Sequence, residues 1–162
     1  MFIIYINDVV EHVNYGSDLY LYADDAKLLS FIKTMEDSAM LQKDLDSLTQ
    51  WMETSLLRLN MGKCKAISYS RRPELNMNYS ISDVTVENIE NIKDLGVTFA
   101  NKLKFDKHIN NEINTAYQML GIVKRNFIYL TPDSFVLYKA MIRLHLEYAV
   151  SVWNPHNQSL IE

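Results

Sequence analysis

Leu41, Leu45, Leu48, Met52 and Leu56 recur at spacings of 4, 3, 4 and 4 residues, the clearest periodic signal in the 162-residue chain. A stripe with that period runs along one side of an α-helix, so the segment predicts a long amphipathic helix whose apolar face meets another element. Thr34 opens it, and Asp37 stands three residues on, as in a capping box. Asn60-Met61-Gly62 is the expected stop. The preceding stretch has a different period. From Asp18 to Phe31 the residues alternate, with Leu19, Leu21 and Ala23 on one face and Tyr20 and Tyr22 on the other. After Asp24-Asp25 the apolar pattern resumes at Leu28, Leu29 and Phe31. Two strands around a tight acidic turn is the natural reading. The helical stripe is expected to cover the back of that hairpin.

Beyond the long helix, Lys65–Ser70 reads as a short strand and Arg71-Arg72-Pro73 as a basic loop. Tyr79–Val86 and Ile92–Phe99 read as further strands or hairpins. The helical period returns from Asp106 with Ile109, Ile113, Ala116 and Leu120. Thr131-Pro132-Asp133 predicts another helix start, with Thr as cap and Pro in the first turn. Phe135 to about Tyr148 is apolar on most sides, which predicts a largely buried helix, stopped by Asn154-Pro155. Residues 1–10 begin on an apolar element without a cap, so upstream sequence is expected. Glu11–Ser17 is a polar connector. The fold class is α+β with a helical C-terminal part.

Composition narrows the classes. Hydrophobic residues at 48% against 22% charged can fill a core, and four glycines with three prolines exclude collagen-like and Gly-rich-loop proteins. The single cysteine, Cys64, excludes a disulfide scaffold and a Cys-cluster zinc site. His12, His108, His145 and His156 lack metal-ligand spacing. No apolar run approaches the ~18 residues of a membrane span, and MFIIYINDVV has no basic lead-in or cleavage site of a signal peptide. Most Tyr and Phe residues fall on apolar faces and are expected in the core. Charge is uneven. Residues 1–60 carry 4 basic and 10 acidic side chains, and residues 61–125 carry 10 and 7. That suits metal ions on one face and a polyanion on another, although solvated faces give the same pattern.

Tyr22-Ala23-Asp24-Asp25 is where chemistry is written most plainly. Two adjacent carboxylates repel, and a hairpin turn is more readily made by Asn-Gly or Asp-Gly. Divalent cations remove the repulsion. Mg²⁺ takes one or two carboxylates plus substrate phosphates, and two-metal phosphoryl transfer needs such carboxylates on a rigid scaffold. A solvated acidic turn is the competing reading.

The motifs together resemble the reverse transcriptase of non-LTR (LINE-type, jockey-like) retrotransposons. Phe2-Ile3-Ile4-Tyr5-Ile6-Asn7-Asp8 is similar to the segment before that family's catalytic hairpin, and Leu21-Tyr22-Ala23-Asp24-Asp25 to its tyrosine-x-Asp-Asp box. Leu41-Gln42-Lys43-Asp44-Leu45 with Trp51 resembles the palm helix, and Leu59-Asn60 with Lys63-Cys64-Lys65 the next motif. Lys93-Asp94-Leu95-Gly96-Val97 resembles the primer-gripping segment. Leu103-Lys104-Phe105, His108-Ile109 and Met119-Leu120-Gly121 resemble the start of the thumb. Leu137-Tyr138-Lys139, Leu146-Glu147-Tyr148-Ala149 and Val152-Trp153 resemble its later helix. The boxes occur in order over nearly the whole chain. Departures are local: Leu144 stands where a proline is expected, Ser82-Asp83 where a glycine is common, and Ala100 where an acid is common.

The resemblance implies a partial right-hand polymerase palm over residues 1–99, an antiparallel sheet with a packed helix, followed by a helical thumb over residues 100–162. It implies an RNA-directed DNA polymerase working with Mg²⁺ or Mn²⁺ on an RNA template, a DNA primer and dNTPs. Asp24 and Asp25 would bind the metals. Tyr22 and Ala23 would lie near the nucleotide and primer end, Leu95 and Gly96 against the primer. Lys63 or Lys65 would serve as general acid toward pyrophosphate. Lys102, Lys104, Lys107, Lys124 and Arg125 would contact nucleic-acid backbone. The rest of a retrotransposon polyprotein is the implied partner, the setting is nuclear or cytoplasmic, and no membrane is involved. The family's fingers, its other metal-binding Asp and its template-contacting motif have no counterpart in these 162 residues, and Asp8 and Asp18 do not replace them. The chain is therefore expected to bind metal weakly and not to polymerise alone. A non-catalytic nucleic-acid-binding remnant is the alternative.

Overall fold

Thr34 adopts extended backbone and its hydroxyl accepts the Asp37 N–H at 3.2 Å, while the Asp37 carboxylate accepts the N–H groups of Lys33 and Thr34 at 2.8 Å each. This is the capping box expected from sequence, and α1 (Met35–Thr54) starts on it. The accepted bonds, that from Lys33 first, hold the Asp37 carboxyl below its ordinary value. The computed structural model describes residues 6–70, 77–127, 129, 132 and 134–153. Their mixture of helix and strand is compatible with the α+β expectation. They form two compact units: the described residues of Met1–Ala66 and Glu74–Asn88, and those of Ile67–Pro73 and Ile89–Glu162.

Helix α1 ends six residues before Asn60, not at Asn60-Met61-Gly62. Leu56 takes φ 56°, its N–H bonds to the Glu53 carbonyl at 3.1 Å, and the Leu57 N–H bonds to the Met52 carbonyl at 2.9 Å. Those two bonds are a Schellman stop, built on a leucine where glycine is usual. Leu57 packs beside Met52, as that motif favours, and Leu56 is left 89% exposed. The last member of the apolar stripe is thus outside the helix.

Strand β1 (Asp18–Tyr22) pairs antiparallel with β2 (Asp25–Leu29), the expected hairpin. Its Leu19 and Leu21 pack against Leu48, Trp51 and Met52 of α1 and against Val9 of a short 3₁₀ helix, Asn7–His12. Leu48 and Met52 therefore cover the hairpin as the stripe predicts, and Leu41 and Leu45 are only half-buried. Strand β3 (Lys65–Ala66) pairs in parallel with β6 (Glu87–Asn88), and β4 (Ser80–Ile81) pairs with β5 (Val84–Thr85) around Ser82 and Asp83. Both turn residues have positive φ, as a type I′ turn requires. The Gln42 side chain binds β4 like a strand would, donating to the Ser80 carbonyl at 2.9 Å and accepting its N–H at 3.0 Å. The expected antiparallel sheet is thus present, among the described residues, as separate two-stranded ladders, three antiparallel and one parallel. The β3–β6 and β4–β5 ladders are only two residues long and offer few backbone groups for further pairing.

In the second unit β7 (Asn91–Asp94) and β8 (Val97–Ala100) form a hairpin, and α2 (Asp106–Asn126) follows. Val97, Ile109 and Trp153 form its core with Phe99, Phe105, Ile113 and Ala149 around them. The C-terminal region runs through α3 (Ser134–Leu137), a π-helical turn (Tyr138–Arg143), α4 (Leu144–Glu147) and α5 (Val150–Trp153). The expected helix is present from Ser134 to Glu147, but it is not largely buried: Phe135, Val136, Leu144 and Tyr148 are exposed, and Ile142 is buried. The segment itself is apolar on most sides, whereas α2 covers one side of it. Expectations for Arg71-Arg72-Pro73, Thr131, Asp133 and Asn154-Pro155 lie outside the described residues. Among the described residues no helix is long and apolar enough to cross a membrane.

Candidate functional site

The hairpin register puts Tyr22 opposite Asp25, leaving Ala23 and Asp24 as a two-residue turn. Asp18, Tyr20, Tyr22, Asp25, Lys27 and Leu29 share one face, and Leu19, Leu21, Ala26 and Leu28 share the other. Burying the leucine face on α1 leaves Tyr20 and Tyr22 more than half exposed, so these aromatics are not core residues. Phe31, Tyr117 and Phe135 also lie at the surface against the sequence expectation. Asp24 and Asp25 are both exposed. Ala23 has φ 54°, a left-handed conformation that a glycine would adopt without strain. The turn presents two carboxylates to solvent, the oxygen chemistry that Mg²⁺ or Mn²⁺ accepts. Among the described residues no three His, Cys, Asp or Glu side chains converge as a metal cage.

The connector leading into β1 is held by a residue to which the sequence reading gave no role. Asp44, fully buried on α1, accepts the N–H groups of Asn14 and Tyr15 through Oδ1 at 2.8 and 2.9 Å, and that of Ser17 through Oδ2 at 3.1 Å. Its signal was available: an acid three residues after Leu41 and four before Leu48 sits inside the apolar stripe, where charge needs partners.

Lys65 is ion-paired with Glu87, its cross-strand neighbour, so its ammonium already has a carboxylate partner. Lys63 is exposed, and its N–H closes a turn on the Asn60 carbonyl at 2.9 Å. Lys65 belongs to the β3–β6 pair and Lys63 to the turn before it, whereas Asp24 and Asp25 belong to the β1–β2 hairpin. Burial raises the Cys64 thiol between them, which disfavours a thiolate.

Leu95 and Gly96 form the β7–β8 turn with φ 43° and 84°. Tyr148 closes over it. Its hydroxyl donates to the Leu95 carbonyl at 2.8 Å, and a Cβ added at Gly96 would stand 2.9 Å from its ring. The close approach that Gly96 permits is thus taken by Tyr148. Trp153 in turn donates its indole N–H to the Tyr148 carbonyl at 2.6 Å.

The basic residues separate along α2. Lys102, Lys104 and Lys107 cluster before and in its first turn, and Lys124 and Arg125 occupy its last. All five are exposed. Lys107 and Arg125 are 18 residues apart, five turns, so they share a face about 27 Å apart. Cations at the C-terminal end suit the helix dipole. Lys107 in the first turn opposes it.

His108 is 1% exposed, edge-on to Trp153 at 5.4 Å, with Nδ1 taking a long hydrogen bond from the Thr98 N–H at 3.4 Å. Glu112 lies between it and His145, at 3.9 and 3.5 Å from their Nδ1 atoms. Burial pushes the His108 pKa down, Glu112 pulls it up and Lys93 pushes it down, with burial dominant.

The chain is 32% identical over 91 residues to the RNA-directed DNA polymerase from mobile element jockey of Drosophila melanogaster. The match takes in 56% of this chain and spans about a tenth of the length of that relative. No family model matches the chain. No solved structure matches it. The similarity supports a reverse-transcriptase-related region in this chain.

Proposed function

We propose that this chain is the palm and thumb part of a retrotransposon RNA-directed DNA polymerase, with the palm over residues 1–99 and the thumb over 100–162. The observation that carries the reading is the exposed Tyr22-Ala23-Asp24-Asp25 turn, set on a hairpin whose back is fixed to α1, in a chain similar to a mobile-element polymerase. Asp24 and Asp25 hold Mg²⁺ or Mn²⁺, which when bound neutralises the triphosphate and the charge that develops in phosphoryl transfer. Tyr22 presents a ring beside Asp25, suited to stack on a base or ribose of the nucleotide or primer end. Lys63 is the better placed of the two lysines for a proton to pyrophosphate, since Lys65 is paired with Glu87. Lys102, Lys104, Lys107, Lys124 and Arg125 contact phosphates of an RNA–DNA duplex along α2. The remainder of the polyprotein supplies the other metal-binding Asp and the template contacts.

The second reading is a non-catalytic nucleic-acid-binding remnant. The Lys65–Glu87 pair and the Tyr148 ring over Gly96 favour it, because both occupy groups that the polymerase reading needs open.

Primer extension on poly(rA)/oligo(dT) with dTTP and Mg²⁺, beside duplex binding by fluorescence anisotropy, tests the proposal. The expected outcome is duplex binding that weakens steeply with salt, and no extension by the chain alone, because both metal ions need carboxylates from two strands. Extension that disappears in Asp24→Asn would overturn the incomplete-site reading. Absence of any duplex binding at low salt would overturn both readings.

A further inference from the structure

The apolar contact between hairpin and α1 is non-directional. Leu19 and Leu21 choose which face of β1 is buried, but half-buried leucines on Leu48, Trp51 and Met52 fix neither the tilt of the strand nor its position along the helix. Hydrogen bonds do fix direction. Among the described residues, Asp44 is the side chain of α1 that reaches the connector of β1 with directed hydrogen bonds, to the N–H groups of Asn14, Tyr15 and Ser17. Ser17 is the residue before β1, so the clamp acts at the root of the strand.

We propose that Asp44 is the positioning residue of the acidic turn: its carboxylate, through the three connector N–H groups, sets the angle at which β1 carries Tyr22, Ala23, Asp24 and Asp25 away from α1. This rests on the polymerase reading only for what the turn does. The lever is long. Tyr22 lies five residues beyond Ser17, about 17 Å along an extended strand, so a 10° tilt at the root displaces the turn by about 3 Å. Metal-ligand distances tolerate about 0.2 Å, so a turn without its clamp cannot hold a fixed place in a metal site completed by other carboxylates. A carboxylate suits the task because it accepts on both oxygens. Asn at this position has one acceptor and one donor, so at least one connector N–H meets another N–H.

The test is the full chain against Asp44→Asn, read by amide hydrogen exchange and by residual dipolar couplings. In the unaltered chain the Asn14, Tyr15 and Ser17 amides are expected to be as protected as those of β1. Exchange at unprotected rates would overturn the proposal without any variant. In Asp44→Asn, the Ser17 amide is expected to exchange roughly tenfold faster, with Asn14 and Tyr15 changed less. Couplings of residues 18–29 should report a reoriented hairpin while those within α1 stay as they were. A stabilising role alone would lower the denaturation midpoint but leave those couplings unchanged, and that result would overturn the proposal. Mn²⁺ broadening of the Asp24 and Asp25 amides in the unaltered chain reads the polymerase proposal separately. Its absence together with a reoriented hairpin would overturn the metal role and leave the clamp standing.

Discussion

Gly96→Ala should destabilise the second unit by about 2–3 kcal/mol, and the reason can be divided by a second substitution. The residue has φ 84°, so any side chain there meets a left-handed strain of about 1–2 kcal/mol. The new Cβ would also stand 2.9 Å from Cε1 of Tyr148. Tyr148 is 52% exposed and can swing away, but in doing so it gives up the 2.8 Å bond from its hydroxyl to the Leu95 carbonyl. A hydrogen bond of that kind contributes about 0.5–1.5 kcal/mol. In a Tyr148→Ala background only the backbone strain remains, so Gly96→Ala should cost about 1–2 kcal/mol there. The difference is the coupling between the two sites. Guanidinium unfolding followed by Trp153 fluorescence, in a Trp51→Phe chain so that only the second unit reports, gives the four values of the cycle. Equal costs in the two backgrounds would refute the claim that Tyr148 occupies the face of Gly96.

Leu48→Ala should cost about 2–5 kcal/mol in the first unit, the range for a buried leucine, while Leu45→Ala should cost less because Leu45 is only half-buried. Denaturation midpoints read by Trp51 would contradict this packing if both were unchanged. Leu56→Gly should stabilise the chain by about 1 kcal/mol, since φ 56° at a Schellman position favours glycine and the leucine side chain buries almost nothing; a lower melting temperature would refute it. The lowered His108 pKa fixes the sign of a pH effect. The folded unit prefers the neutral ring, so its stability is intact above the unfolded histidine value, about 6.5, and falls as pH drops below it. One proton limits the slope to about 1.4 kcal/mol per pH unit. Thermal melts between pH 7.5 and 5.5 should flatten in His108→Phe relative to the parent, and parallel curves would contradict the assignment.

Local signals in the sequence were legible where side chain and backbone speak to near neighbours. The Thr34–Asp37 box, the Asp18–Leu29 hairpin and the 3.6-residue period of α1 and α2 each depend on residues within a turn or two. What could not be read depends on partners distant in sequence. The place of Asp44 inside the apolar stripe signals that it needs partners, but not which ones: Asn14, Tyr15 and Ser17, about 30 positions away, converge on it. Lys65 looked like an available cation until the parallel pairing with β6 brought Glu87 to it. Leu56 kept the stripe's spacing, yet a Schellman stop removed it from the helix. The segment from Phe135 misled in the opposite way: apolar composition predicts burial only when enough neighbouring surface exists to cover every side.

The proposal that Asp24 and Asp25 form the metal-binding turn of a polymerase-related palm is decided by amide-resolved Mn²⁺ broadening of the chain. An internal competitor makes the test sharp, because an open groove of about 630 Å³ on α1 is lined by Asp46, Glu53 and Asp83 as well as Gln42, Thr49 and Ser80. General attraction of a cation to negative charge would broaden that groove at least as strongly as the turn. Weak, saturable broadening centred on Ala23, Asp24 and Asp25 that disappears in Asp24→Asn is the expected result. Broadening centred on the groove, or unchanged by Asp24→Asn, would contradict it.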